Sequence, residues 1–186
     1  MNAMKTPSAR SQRGASLFVA LVMMIAITLI GIAGANLSTS EERMARNARD
    51  SNIALQAAEA ALRDAETDIV STRALSGATL FSTTCDQTGG KGLCIPATSG
   101  TQRWEAYLED ASRSLSYGEQ TGVPGFRPST ESGGVTGQPR YLVEAIPDAV
   151  GTSLRAGGGR YIYRITALGY GALSGTRVML QEFFRP

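Results

Sequence analysis

The chain has 186 residues, 42% of them hydrophobic, with 18 basic and 16 acidic side chains and no histidine. The missing histidine excludes Ser-His-Asp and Cys-His catalytic sets built from this chain alone. Lys5, Arg10 and Arg13 all precede Ala15, and without them 15 basic residues face 16 acidic ones, which leaves no electrostatic footprint for nucleic acid.

A short basic leader ends in Gln12-Arg13-Gly14 and runs straight into the uncharged apolar segment Ala15 to Ala35. The leader carries no acidic residue, so the positive-inside rule keeps its N-terminus in the cytoplasm. The apolar run matches the roughly 20 residues a helix needs to cross a bilayer. It exceeds the apolar core of about 7–15 residues in an ordinary secretory signal. Everything after Asn36 is therefore expected on the far side of the membrane. Three readings compete: an uncleaved anchor, a secretory signal cut near Ala33-Gly34-Ala35, and a cut after Gly14 that leaves the helix on the mature protein. Small residues also serve helix packing in membranes, and Gly31 and Gly34 fit that use. Alternatively they mark a weak point, since each glycine costs a helix about 0.8–1 kcal/mol relative to alanine. Asn36-Leu37-Ser38 matches a glycosylation sequon, but its place in a helix beside the membrane makes the match a coincidence.

From Ser38 to about Val70 the chain is rich in Ala, Glu, Arg and Leu, the residues that favour helix. Ala48, Leu55, Ala58, Leu62, Ala65 and Ile69 recur on a seven-residue rhythm that predicts one buried face. Taken as one helix, Ala15 to Val70 spans roughly 84 Å at about 1.5 Å per residue. Its first part is apolar all round and calls for lipid or other helices; its second part is amphipathic and calls for a head domain.

Arg13-Gly14-Ala15-Ser16-Leu17, followed by the apolar run, resembles the class III signal of type IV prepilins. The string from Glu41-Glu42-Arg43-Met44 to Ala60-Ala61-Leu62-Arg63-Asp64-Ala65-Glu66 is similar to the N-terminal region of PilX-like minor pilins. So are Tyr163-Arg164-Ile165-Thr166-Ala167-Leu168-Gly169-Tyr170-Gly171 and Val178-Met179-Leu180-Gln181 near the other end. The likeness is strong at both ends and slight from about Ser76 to Gln138. It implies an α+β, type IV pilin-like fold, a long helix on a small antiparallel sheet. It also implies that a prepilin peptidase cuts between Gly14 and Ala15 and methylates the new N-terminus, with Leu17, Phe18 and Val19 entering filament assembly.

One position departs from the wider pilin pattern. Major pilins carry a glutamate five residues after the cut, where this chain has Val19, and their first mature residue is usually phenylalanine rather than Ala15. A carboxylate in lipid is expensive and needs a partner; in major pilins that partner is thought to be a neighbour's N-terminal ammonium. A subunit without the glutamate cannot offer this pairing. The resemblance therefore implies a place at the filament tip, where one neighbour is absent.

After Ser76, Gly, Thr, Ser and Pro become frequent, which predicts loops over the surface of the head. Cys85 and Cys94 enclose the turn-forming Asp86-Gln87-Thr88-Gly89-Gly90-Lys91-Gly92-Leu93. In an oxidising periplasm they are expected to form a disulfide. A two-cysteine metal site is the rival, opposed by the lack of histidine and the usual four ligands of structural zinc. Thr101 is placed to cap a short helix carrying Trp104, Leu108, Ala111 and Leu115 at helical spacing. Trp104 reads as core, with ligand stacking as the alternative. From Thr121 to Pro139 the prolines and glycines argue against regular structure.

The last third is strand-like. Tyr141 to Ile146 is rich in β-formers, Tyr161 to Ala167 alternates with period two, and Arg177 to Phe184 is a third strand candidate. Gly157-Gly158-Gly159 lacks the lysine-serine or lysine-threonine pair of a phosphate cradle and reads as a loop. Short connections between three strands predict an antiparallel meander laid on the amphipathic half of the helix.

Paired carboxylates at Glu41-Glu42 and Glu109-Asp110 read as solvated helical faces. No spacing resembles a calcium loop, which needs six to eight oxygen ligands. No enzyme activity, cofactor, metal, nucleic acid or small-molecule substrate is expected. The division expected is a cleaved cytoplasmic leader (1–14), a membrane segment (15–35), an amphipathic helix (36–75), a loop-rich region (76–139) and a sheet (140–186). Two classes of function fit: an assembly subunit that primes or caps a type IV pilus, or a monomeric membrane-anchored binding protein. Within the first, a tip pseudopilin of a type II secretion system is the near rival. The partners the resemblance implies are the prepilin peptidase, other minor pilins, a tip adhesin and the inner membrane.

Overall fold

The computed structural model describes residues 15–148 and 160–186. Gly157-Gly158-Gly159 and Gly14 lie outside the described residues. α1 (Ala15–Thr67) is one α-helix of 53 residues, followed by a π-helical turn at Asp68–Thr72. The expected end at Val70 falls inside that turn.

The chain divides into two compact units, the first ending at Arg46 and the second running Asn47–Pro186. In the first unit every described residue is exposed. Thr28 returns its hydroxyl to the carbonyls of Met24 and Ile25, at 2.9 and 2.8 Å, so its polar atom is satisfied within the helix. Glu42 and Arg46, four residues apart, form an exposed ion pair.

The second unit is built on a five-stranded sheet. Its strands are β1 (Leu93–Cys94), β2 (Leu115–Ser116), β3 (Arg140–Pro147), β4 (Tyr161–Tyr170) and β5 (Arg177–Phe184). The last three form the expected antiparallel meander, with Tyr141 opposite Ala167 and Ala167 opposite Leu180. The sheet as a whole is mixed, because β1 runs parallel to β3 while β2 pairs with β3 antiparallel. Two-residue strands carry too little periodicity to stand out from a loop; β1 lies in a stretch expected to be a turn, and β2 begins at Leu115, which was expected on a short helix.

One face of the sheet packs on α1. Ala54, Ala57, Ala58, Ala61, Leu62 and Ala65 are buried on the helix, against Tyr141, Val143, Tyr163, Ile165 and Ala167 from the strands. Small side chains let helix and sheet backbones come close. The seven-residue rhythm placed Ala48 and Leu55 on this face; Ala48 is exposed and Leu55 half-buried. The buried stripe instead follows the 3.6-residue period of a helix seated on a sheet.

The opposite face is also covered. Cys85, Cys94, Leu108, Leu142 and Leu168 form a second cluster, flanked by Trp104, Tyr107 and Tyr170. The loop-rich region is thus a packed layer rather than a surface trimming. Its helix, α2 (Arg103–Tyr107), has only five residues and is preceded by Gln102 rather than capped by Thr101. Leu115 belongs to β2, and Ala111 is exposed. Helical spacing from Trp104 to Leu115 was therefore misleading, because Asp110 turns the chain: Ser112 donates its amide and hydroxyl to Asp110 Oδ1 at 2.9 and 2.7 Å. Glu109-Asp110 accordingly lies outside any helix.

Candidate functional site

The first candidate is the exposed start of α1. Ala15 is its first residue, and Leu17, Phe18 and Val19 are all exposed in its first two turns. An 18-residue window of this helix reaches a mean hydropathy of 2.7, with none of it buried in the protein. Phe18, Val19, Val22, Met23 and Ala26 line one apolar concavity. From Ala15 to Ser40 there is no ionisable side chain, so this segment can offer neighbouring helices close packing and hydrogen bonds from uncharged groups such as Ser16 and Asn36, but no ion pair.

The second candidate is the disulfide layer. Cys85 and Cys94 are joined, both fully buried, with Cα atoms 4.6 Å apart. The loop they close is tied to β3, where Val143 donates its amide to the Gly92 carbonyl at 2.9 Å, and its two flanks are joined by Ile95 donating to the Ser82 carbonyl at 2.8 Å. Leu142 lies in the same cluster as the two sulfurs. The bond thus staples the layer that covers the second sheet face.

Three buried aspartates on α1 and its π-turn escaped the sequence reading. Asp50, Asp64 and Asp68 are spaced fourteen and four residues apart, which at 100° per residue puts them on the same face as the buried alanines. Each receives a loop. Asp50 Oδ1 accepts the amides of Ala172 and Leu173 at 2.6 and 3.1 Å, from the turn between β4 and β5. Burial alone would raise its pKa, but the Thr176 side chain and these two amides outweigh burial and hold it below the usual carboxylate value. Asp64 accepts the Gly118 amide at 2.8 Å and the Thr121 hydroxyl. Gly118 has φ +77°, and a Cβ there would stand 2.1 Å from the Val123 carbonyl oxygen, so glycine is required at this turn. Asp68 is paired with Arg73, whose Nε lies 2.8 Å from Oδ1, and it also receives the Tyr141 hydroxyl at 3.3 Å. Arg73 passes the connection on to the Lys91 carbonyl at 3.0 Å. The signal was in the sequence as phase: acids aligned with an alanine stripe.

Two further acids face burial. Glu144 sits opposite Arg164 across β3 and β4, with Arg164 Nε 2.9 Å from Oε2. Burial raises the Glu144 pKa against the lowering effect of Arg164 and Arg103. Glu182 on β5 is raised first by burial, then by the charge and hydrogen bonding of Glu66 on α1. Among the described residues no group of three His, Cys, Asp or Glu gathers as a metal site. The carboxylates tie elements together; they do not converge on an open cavity.

A helix whose Ala15–Ser40 segment is uncharged and long enough to span a bilayer, continuous with a small α+β head, defines a pilin-like architecture. Residues 13–63 match the family described as PilX N-terminal, and residues 83–186 match the family described as type IV pilus assembly protein PilX C-term. The chain belongs to the PilX family of type IV pilus assembly proteins. Comparison with curated proteins and with solved structures returns no significant match. The family is structural rather than catalytic and implies contacts with other pilus components.

Proposed function

We propose that the chain is a minor pilin, cut between Gly14 and Ala15 by a prepilin peptidase, that primes or caps the type IV pilus at its tip together with other minor pilins. Residues 1–14 are the cytoplasmic leader and 15–35 the inner-membrane span, and the head waits in the periplasm before assembly. Val19 is the observation that carries the tip placement. A subunit deep within the filament whose helix lacks a membrane carboxylate leaves a neighbour's N-terminal ammonium without its counter-ion in an apolar core, and an unpaired buried charge is strongly destabilising. At the tip the subunit has no neighbour above it to neutralise. Ala15 stays a free, membrane-embedded N-terminus, and Leu17 and Phe18 supply apolar contact to adjacent helices.

Deletion in the native host tests the reading. Loss of the protein should lower the number of filaments per cell while their diameter stays the same. Unchanged filament number would remove the assembly role.

A further inference from the structure

The sheet of the head has one long open edge. The outer side of β3 is occupied by both β1 and β2, whereas β5 pairs with β4 alone among the described strands. The register of β5 on β4 runs from Arg177 opposite Tyr170 to Phe184 opposite Tyr163 in single steps, with no bulge. β5 contains no proline and no lysine. Bulges, prolines and lysines are common means of keeping an edge from pairing, and β5 has none of them; its one inward-facing charge, Glu182, lies against Glu66 on α1.

The side chains of β5 alternate. Leu180 and Phe184 turn to the cluster shared with α1. Arg177, Met179, Gln181 and Phe183 are exposed on the other face, Met179 at 48% and Phe183 at 66%. The disulfide layer packs on Leu142 and Leu168 and leaves these two large apolar side chains uncovered. A long, regular edge beside an uncovered apolar strip is the arrangement used in strand addition, where main-chain hydrogen bonds give affinity and alternate side chains give specificity.

The charges argue against a second copy as the occupant. Two β5 strands paired antiparallel keep their faces matched only in registers that oppose residues of equal parity. With Gln181 opposite itself, Met179 meets Phe183, but Arg177 meets Arg185 at both ends, and like charges directly opposite are destabilising. With Leu180 opposite itself, that clash disappears and so does the Met179–Phe183 match. Arg177 engages Glu109 through Nη1 at 2.5 Å, and Arg185 engages Asp148 through Nη2 at 3.1 Å. Each pair uses one nitrogen of a guanidinium that carries five donors, so both ends of the strand can still receive a carboxylate.

We infer that the β5 edge is continued by an extended strand from the head of a different pilus subunit, apolar opposite Met179 and Phe183 and acidic opposite Arg177 and Arg185. The inference rests on the assembly role proposed above and names the contact through which that role is exercised.

Photo-crosslinking of the full chain in intact, piliated cells tests it. With p-benzoylphenylalanine in place of Met179 or Phe183, the expected product is an adduct with another pilus subunit. Sequencing of the crosslinked peptide should find it in a strand of that subunit's head. The same probe in place of Gln87, an exposed residue of the disulfide loop, should give no such adduct. Adding Phe183→Lys to the Met179 probe should abolish the adduct while leaving the melting temperature of the purified chain unchanged, because Phe183 is exposed. An adduct with a second copy, no adduct at either β5 position, or equal yield from position 87 would overturn the strand pairing. If deletion lowers filament number but these positions capture nothing, only the pairing fails; if deletion leaves filament number unchanged, the assembly role fails with it.

Discussion

Gly169 on β4 lies so close to α1 that a Cβ on it would stand 2.1 Å from the carbonyl oxygen of Ala54 and 2.4 Å from the amide nitrogen of Ala58. Both obstructing atoms are backbone, which cannot swing aside as a side chain can. Gly169→Ala should therefore cost about 3 kcal/mol, the upper end of ordinary overpacking. Denaturant melts of the detergent-solubilised chain would read it as a lower midpoint with unchanged slope. A cost near zero would mean that helix and sheet are not seated this closely.

Arg73→Ala should be more damaging than any surface arginine substitution. It leaves the fully buried Asp68 carboxylate without its cation, and breaking a buried pair from one side costs about 3–5 kcal/mol. Arg127→Ala, whose partner Glu131 is exposed, is the matched control and should lie within about 1 kcal/mol of the parent.

Asp50 and Glu182 make opposite contributions to the pH dependence of stability. The Asp50 pKa is depressed in the fold, so its stabilisation is complete above the unfolded value near 3.8 and is lost as pH falls below that through the folded value. The Glu182 pKa is raised, so the folded state holds its proton longer and stability falls as pH rises from about 4.5 through the folded value. Asp50→Asn should flatten the acid limb of the stability profile. Glu182→Gln should raise the melting temperature at pH 7 and leave it unchanged near pH 3. Melting curves across pH 3–8 would separate the two; a lower melting temperature for Glu182→Gln at pH 7 would contradict the assigned environment.

Cys85→Ser with Cys94→Ser should lower stability by about 2.7 kcal/mol, the chain-entropy value for a ten-residue ring, plus the cost of burying two hydroxyls in an apolar cluster. The loss should be local. The Leu142–Leu168 face ought to gain hydrogen exchange before the α1 face does, since both cysteines lie in the former cluster while the loop reaches the latter through Leu93. Uniform loss of protection on both faces would contradict the two-layer arrangement.

The parts of the fold legible from sequence are those with long, repeated patterns. Tyr161 to Ala167 alternates and forms most of β4, which runs on to Tyr170 through Gly169, a residue read from sequence as the start of the connection to β5. The helix from Ala15 showed itself by composition alone. What stayed hidden depends on partners distant in the chain. Asp64 is an ordinary helical acid until Gly118 and Thr121 reach it, 54 and 57 residues later. Cys94 and Leu93 become a strand only because Val143 and Glu144 lie beside them. Leu115 kept helical spacing from Trp104 while the chain between them turned at Asp110.

Processing is checked by the mass of the N-terminal peptide from the native host. It should begin at Ala15 and carry one added methyl group. A peptide beginning at Met1 or Asn36 would contradict cleavage after Gly14.

Tip placement is tested most directly by counting this subunit against the major pilin in sheared, purified pili, with immunogold labelling of the same filaments. A subunit without a membrane carboxylate at Val19 should be present at a very small fraction of the major pilin and label filament ends. A copy number comparable to the major pilin, with label spread along the shaft, would contradict it.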